Sequence, residues 1–527
     1  MIKNERGSTL VVVLLMMMVF TVLGLSILST SLGGAKRTEK REEQVTNDLE
    51  AIRHLNEAVA YIKETVNQEF NVKNPDMSIR AYQNLIQDDI IDNKYQYQIT
   101  NISNTYETIN ENEDFTRVLQ VTSGNYTQKV YITGMPSFLK YAVGSRGTLT
   151  LNGSTYVEEG NIYAKNELII ANEAKYIFNG DSLVEKTTFP SVANKDKSLL
   201  FLEKEMIDLC SGNCYNGTEK IKSSFHPLKL ENLDDAFDPN SPIYSKENTE
   251  FVEVDIEKTF KEKLQTAGFL DANVDPYSMD IDEIITNGSN RLSVKKITSF
   301  KDIDNDPSID GFLYVNPSQE ASYIDIDNLI LDKSKWLVFD GDAIIENIGT
   351  NNQTEMKVSA NILVTGDLTI QGDIAFDSTI YVYGNTTINN VNIKGMNQNN
   401  GENIGELILM TQGQLEIARI NKFKNEKKNS IEAFLYTNQD AVVYAMGSYL
   451  YVEGGIFANG NLEVNAFRGT AEDEGTHIRF TGKDKDETAS RLVINNTKDS
   501  KKLFLNQAQG LPKINKLEVM TDLMKKE

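Results

Sequence analysis

Residues Thr9 to Leu28 form a run of twenty without one charged side chain. Wound as a helix, that run is about 30 Å long, enough to cross the hydrocarbon core of a bilayer. A chain that carries such a segment must place it in lipid, bury it, or have it removed. Beyond it, residues 36–68 read as one polar helix. Val45, Leu49, Ile52, Leu55, Val59, Ile62 and Val66 recur there at steps of three or four. No proline interrupts the chain from Met1 to Val72. One continuous helix follows, its first half apolar all round and its second half packing one face on a folded domain. Two other readings stay open: a plain signal anchor, and a secretory signal cut near Ala35 after Ser29-Thr30-Ser31-Leu32-Gly33-Gly34.

The short charged leader, residues 1–7, joins this run directly. The segment Arg6-Gly7-Ser8-Thr9-Leu10-Val11-Val12-Val13-Leu14-Leu15, followed by Thr21-Val22-Leu23-Gly24-Leu25, resembles type IV pilins and pseudopilins, most closely the PilX-type minor pilins. The resemblance covers about the first sixty residues. It implies cutting after Gly7 by a prepilin peptidase and a new, methylated N-terminus at Ser8. It also implies an α/β roll behind the helix, other pilins as partners, and a large domain outside the cell. Major pilins carry glutamate at the fifth mature position and usually start with phenylalanine. Here those places hold Val12 and Ser8, which argues against a major shaft subunit. Lys36, Arg37, Lys40 and Arg41 follow the helix, so counting basic residues alone would put the large domain inside. A dedicated export path overrides that rule.

From Tyr95 the apolar period changes to two. Tyr95-Tyr97-Ile99, Phe115-Leu119-Val121 and Tyr126-Val130-Ile132 read as three strands, with Ser123-Gly124-Asn125 as a hairpin turn. Further on, Asn161-Ile162-Tyr163-Ala164 with Leu168 and Ile170 recurs as Asn361-Ile362-Leu363-Val364 with Leu368 and Ile370. It recurs again as Gly455-Ile456-Phe457-Ala458 with Leu462 and Val464. The second copy repeats locally after eighteen residues: Ile362, Val364, Gly366 and Ile370 map onto Ile380, Val382, Gly384 and Ile388. Apolar alternation with Gly, Asn and Asp at the corners is the pattern of a β-solenoid; an irregular sandwich is the competing reading. The expected organisation is mainly β with a long N-terminal α-helix. Its parts are a leader (1–7), a transmembrane helix (8–34), an amphipathic helix (35–72) and an antiparallel meander (73–138). A first solenoid segment (139–184), an inserted α+β subdomain (185–335), the main solenoid (336–480) and C-terminal strands with a polar tail (481–527) complete it. Within the insertion, Phe260, Leu264 and Ala267 mark one face of a helix near residues 256–270.

The chain holds 53 basic and 76 acidic residues, a net charge of −23. Such a surface repels phosphate backbones, which argues against nucleic acid as a ligand. His54, His226 and His477 lie far apart in sequence, and no nucleotide loop, zinc-protease helix or nucleophile elbow is present. No catalytic site and no cofactor are expected. Cys210 and Cys214 would close a small disulfide loop outside the cell or remain as free thiols. Asp302, Asp304, Asp306 and Asp310 crowd one loop. Pro307 and Leu313 stand where an EF-hand has its glycine and its bidentate glutamate, so a calcium site of another kind and a solvated acidic loop remain the alternatives.

Together these features point to a minor pilin-like component of a type IV pilus or pseudopilus, with a structural or adhesive head. Its partners would be membrane lipid, other pilins, the prepilin peptidase and a surface glycan. A stand-alone membrane-anchored adhesin or scaffold is the second reading. A carbohydrate-active β-helix enzyme is the third.

Overall fold

A computed structural model describes residues 6–527 apart from 76, 92–95, 107–108, 113, 247–250, 305, 316–320, 325–327, 348–354, 397–404, 419–422, 424–429, 498–502, 504–506, 508, 513–515 and 527; the side chains of 6–9 also lie outside the description. A long N-terminal helix precedes a large β-rich region. The chain divides into two compact units.

The first unit comprises Met1–Ser103, Arg117–Ile132 and Val519–Glu527. Its helix runs unbroken over Arg6–Thr65 and continues as a π-helical turn, Val66–Val72. The first half is exposed throughout, including every apolar side chain from Leu10 to Leu28. One helix, and only one among the described residues, is thus long and apolar enough to cross a membrane. In the second half Ala51, Leu55, Ala58, Ile62, Val66 and Phe70 are buried at steps of three and four. Val45 and Leu49, expected on that face, are exposed. The reason is where the sheet stops. Its hairpin turn carries Gly124 at φ 54°, and a Cβ there would stand 3.3 Å from the Cβ of Ala51, so packing begins at that turn of the helix. The sheet pairs Gln98–Asn101, Arg117–Ser123 and Tyr126–Gly134 antiparallel, with Ile99 opposite Val121 and Leu119 opposite Val130. Three strands stand where the alternation was read, although Tyr95 lies outside the described residues and Phe115 precedes the second strand. The sequence pattern did not reveal that the C-terminal strand Leu517–Thr521 lies beside Tyr126–Gly134 as the next member. Tyr131 donates to the Asp522 carboxylate at 2.7 Å and Gln128 to its carbonyl at 2.8 Å.

The second unit, Asn104–Thr116 and Thr133–Glu518, is a coil of parallel strands. Three ladders run along it. In the first, Leu337, Ile362, Ile380, Leu409, Leu435, Ile456, Val143 and Ile162 stack in register, one per turn. The second stacks Ile370, Ile388, Ile417, Val443, Val464, Leu151 and Ile170. The third stacks Ile374, Ile393, Ile431, Val452, Ile494 and Val157. All these side chains point inward and are fully buried, each contributing about 1.5–3 kcal/mol by leaving water.

The order of turns is not the order of the chain. Leu450–Ala458 pairs with Tyr141–Ser145, so the segment nearest the N-terminus stacks on the last turn of the C-terminal half. Within residues 185–335, expected as an insertion, short strands join the coil while the helices Ile256–Thr266 and Ile281–Gly288 do not. Leu199–Leu202 and Ile207–Cys210 extend it at one end, and Gly311–Tyr314 stacks on Trp336–Phe339 near the other. Between them the chain travels along the outer face of the first ladder. Phe251 stacks on Phe457 at 5.3 Å. The helix Ile256–Thr266 then sets Phe260 6.0 Å from Tyr383 and the Lys263 ammonium over Trp336. Phe260, Leu264 and Ala267 are fully buried, as their spacing implied.

The corners between the first two ladders explain the Gly-Asp and Gly-Asn pairs. Asp367 Oδ1 accepts from the Asn385 backbone N–H at 2.7 Å and from its side-chain amide at 3.2 Å. Asp440 does the same for Asn461. A Cβ on Gly384 would fall 2.4 Å from Asp367 Oδ1 and 2.5 Å from the Gly366 carbonyl oxygen. Only glycine lets the neighbouring corner's carboxylate come that close.

Candidate functional site

The coil's second ladder turns an outer face to solvent, and a groove lies along it. Alternation sends Leu415, Ile417, Val443, Leu462 and Val464 inward, so Glu416, Tyr444 and Glu463 point out. The opposite wall is the hairpin Glu173–Phe178 with Asp181–Lys186, closed by Asn179 (φ 53°) and Gly180 (φ 91°). Asn-Gly suits a two-residue turn with both central residues at positive φ.

One part of the groove is a cleft of about 800 Å³. Asp367, Asn385, Thr387, Gln414, Glu416, Asp440, Asn461 and Glu463 line its floor, and Lys175, Tyr176 and Ser182 its wall. The adjoining part, about 580 Å³, is more aromatic and holds Tyr176, Phe178, Phe423 and Tyr444. Tyr176 packs edge-on against Phe480 at 5.2 Å. Burial, then Glu463 and Glu416, push the Tyr444 hydroxyl above its ordinary pKa, so it stays protonated and able to donate. Lys175 is held by Glu463 at 3.0 Å and lies over the Tyr215 ring at 4.7 Å. Glu463 also accepts from Asn465 at 3.0 Å. The groove therefore offers ring faces, hydroxyls, amides and an excess of carboxylates.

The residues singled out from the sequence fall elsewhere. Gly7 and Ser8 lie within the long helix, with side chains outside the described residues, as is most of the leader. Cys210 and Cys214 form a disulfide, with Cα atoms 5.8 Å apart. Glu173 anchors that loop by accepting from the N–H groups of Asn213 and Cys214, both at 2.8 Å.

Lysines hold the loop that carries Asp302, Asp304, Asp306 and Asp310. Lys295 donates to the Asp302 carbonyl at 2.8 Å and to the Asp304 carboxylate at 2.5 Å. Lys335 donates to the Asp306 carbonyl at 2.5 Å. Lys295 holds the Asp304 carboxyl below its ordinary range, and hydrogen bonds from Ser308 do the same for Asp306. Burial pushes Asp310 up. Among the described residues no three His, Cys, Asp or Glu side chains are grouped to hold a metal.

Glu416, Tyr444 and Glu463 were not singled out from the sequence; strand alternation is the signal that could have marked them as outward. Nothing local says which face a hairpin will cover, so the hairpin over them had no such signal.

No family model matches the chain, and no curated protein matches it. Among solved structures it is similar to the competence-associated pilin ComZ from Thermus thermophilus, at 11% identity and a TM-score of 0.29, covering 82% of this chain and 84% of that one. A likeness at that identity and score assigns no family.

Proposed function

We propose that this chain is a minor, PilX-like pilin component of a type IV pilus or pseudopilus, anchored by its N-terminal helix and carrying the coiled unit as a non-enzymatic head outside the cell. The observation that carries this reading is the division of labour within one helix. Its first half is apolar and exposed, and its second half is packed on an antiparallel sheet. That arrangement matches what the Arg6-Gly7-Ser8 boundary and the following apolar run imply by resemblance.

Val12 and the bulk of the head favour a place at the filament tip. In major pilins a buried glutamate is held to pair with the N-terminal amine of a neighbour. A buried amine without that partner is costly, so a chain with Val12 is poorly suited to lie beneath another subunit. Immunogold labelling of sheared filaments is expected to mark ends at low copy number. Regular labelling along the shaft would overturn the tip assignment. Labelled membranes with bare filaments would favour a stand-alone tethered adhesin.

A further inference from the structure

We infer that the groove on the second ladder binds a neutral, linear glycan, laid along the coil axis. The inference lies wholly within the coiled unit and does not depend on how the chain is anchored.

The shape of the groove suits a polymer. The floor of the groove draws on five successive turns, through Asp367, Thr387, Glu416, Tyr444 and Glu463. At ~4.8 Å per turn those five cover about 19 Å. A polymer whose repeat is close to one turn would meet a polar group of the groove on each turn it crosses, and a pyranose residue in an extended glycan is about one turn long. A compact metabolite would leave most of this length empty.

The chemistry of the lining suits a sugar. Sugars present hydroxyls around the ring edge and apolar C–H groups on the ring face. The groove offers acceptors for the first in Glu416 and Asp440, and amide donors in Asn385 and Gln414. Tyr176 and Tyr444 supply aromatic surface with a polar tip, and Ile177 next to them is 53% exposed. A few polar groups converging beside aromatic faces is the general composition of a ligand cleft.

Charge selects among polymers. Asp367, Glu416, Asp440 and Glu463 line the cleft. Among the described residues that line the cleft, the one basic side chain, Lys175, is already paired with Glu463. Uronic-acid polymers and nucleic acids would bring like charge to these carboxylates. A neutral chain meets no such penalty, and each exposed carboxylate can accept from sugar hydroxyls with the strength of a charged acceptor.

Calorimetric titration of the full-length protein in detergent tests this. The neutral probes are cellohexaose, xylohexaose, mannohexaose and chitohexaose; hexagalacturonate is the anionic one. At least one neutral hexaose is expected to bind, more tightly than its own disaccharide. Tyr444→Ala should weaken that binding roughly ten-fold or more, as loss of a central aromatic contact does. Glu416→Gln, at an exposed position where folding is not at risk, should also weaken it. The inference is overturned if no neutral hexaose binds at millimolar concentration, if hexagalacturonate binds as well as the neutral probes, or if both variants bind like the parent protein.

Discussion

Phe457→Ala is expected to destabilise the coiled unit by about 3–5 kcal/mol, the usual cost of emptying a large aromatic site in a core. Phe457 is fully buried in the outer column of the first ladder. Its ring lies 5.3 Å from Phe251, 5.7 Å from Tyr163, 5.9 Å from Tyr141 and 6.2 Å from Tyr436. Gly144 is its in-register neighbour, and a Cβ there would fall 2.5 Å from the Phe457 ring. The ring thus fills space that the next turn leaves open, and little else could collapse into it. The site is also the seam where the C-terminal half of the coil meets the segment nearest the N-terminus. Hydrogen exchange is the suitable reading, because a chain with two units need not unfold in one step. Protection should fall over residues 141–164 as well as around 457. Loss confined to the strand bearing residue 457 would contradict the seam.

The second large effect is expected at Asp377. Lys333 Nζ lies 2.9 Å from its Oδ1, and the two side chains are 18% and 6% exposed. Gln507 donates to the same oxygen at 2.6 Å. Asp377→Ala takes away the ammonium's charge partner and leaves it only the hydrogen bond to the carbonyl of residue 377, at a cost of about 3 kcal/mol, the low end for a buried pair because Lys333 keeps some solvent contact. Lys333→Met combined with Asp377→Ala should recover much of that loss. The pH dependence has a definite sign. Burial lowers the Lys333 pKa below its ordinary 10.5, with Asp377 opposing the shift. Removing Asp377 drops it further. Between the folded value and 10.5 the unfolded chain then holds the extra proton, so stability rises with pH across that window. The deficit of Asp377→Ala should therefore shrink as pH is raised toward 10.5, in denaturant melts compared with the parent. A deficit that stays constant would contradict it.

Much of the fold was legible because its periodicities are strict. The three sequence copies around Ile162, Ile362 and Ile456 occupy one column of one ladder, and the eighteen-residue local repeat is a true register, with Ile362 opposite Ile380 and Ile370 opposite Ile388. The order of the turns was not legible. That Ile456 stacks on Val143 is a pairing between segments more than 300 residues apart, and inward alternation is the same whichever turn lies above. For the same reason residues 185–335 looked like an insertion. Their turns carry no Gly-Asp corner pairs, although Leu200 and Phe312 lie on the same column as the repeats. In the acidic loop the sequence displayed the carboxylates but not Lys295 and Lys335, which reach them only after folding. The groove was not read from the sequence: its outward residues follow strand alternation but were not singled out, and the covering hairpin gives no local sign of the face it covers.

On the reading proposed above, the apolar half of the long helix is kept as a membrane anchor after removal of a short leader. N-terminal sequencing of the protein from the membrane fraction of its own cells tests this most directly. A sequence starting at Ser8, with the helix retained, is expected. A start near residue 36 in soluble material, or residues 1–7 still attached in the membrane, would contradict it.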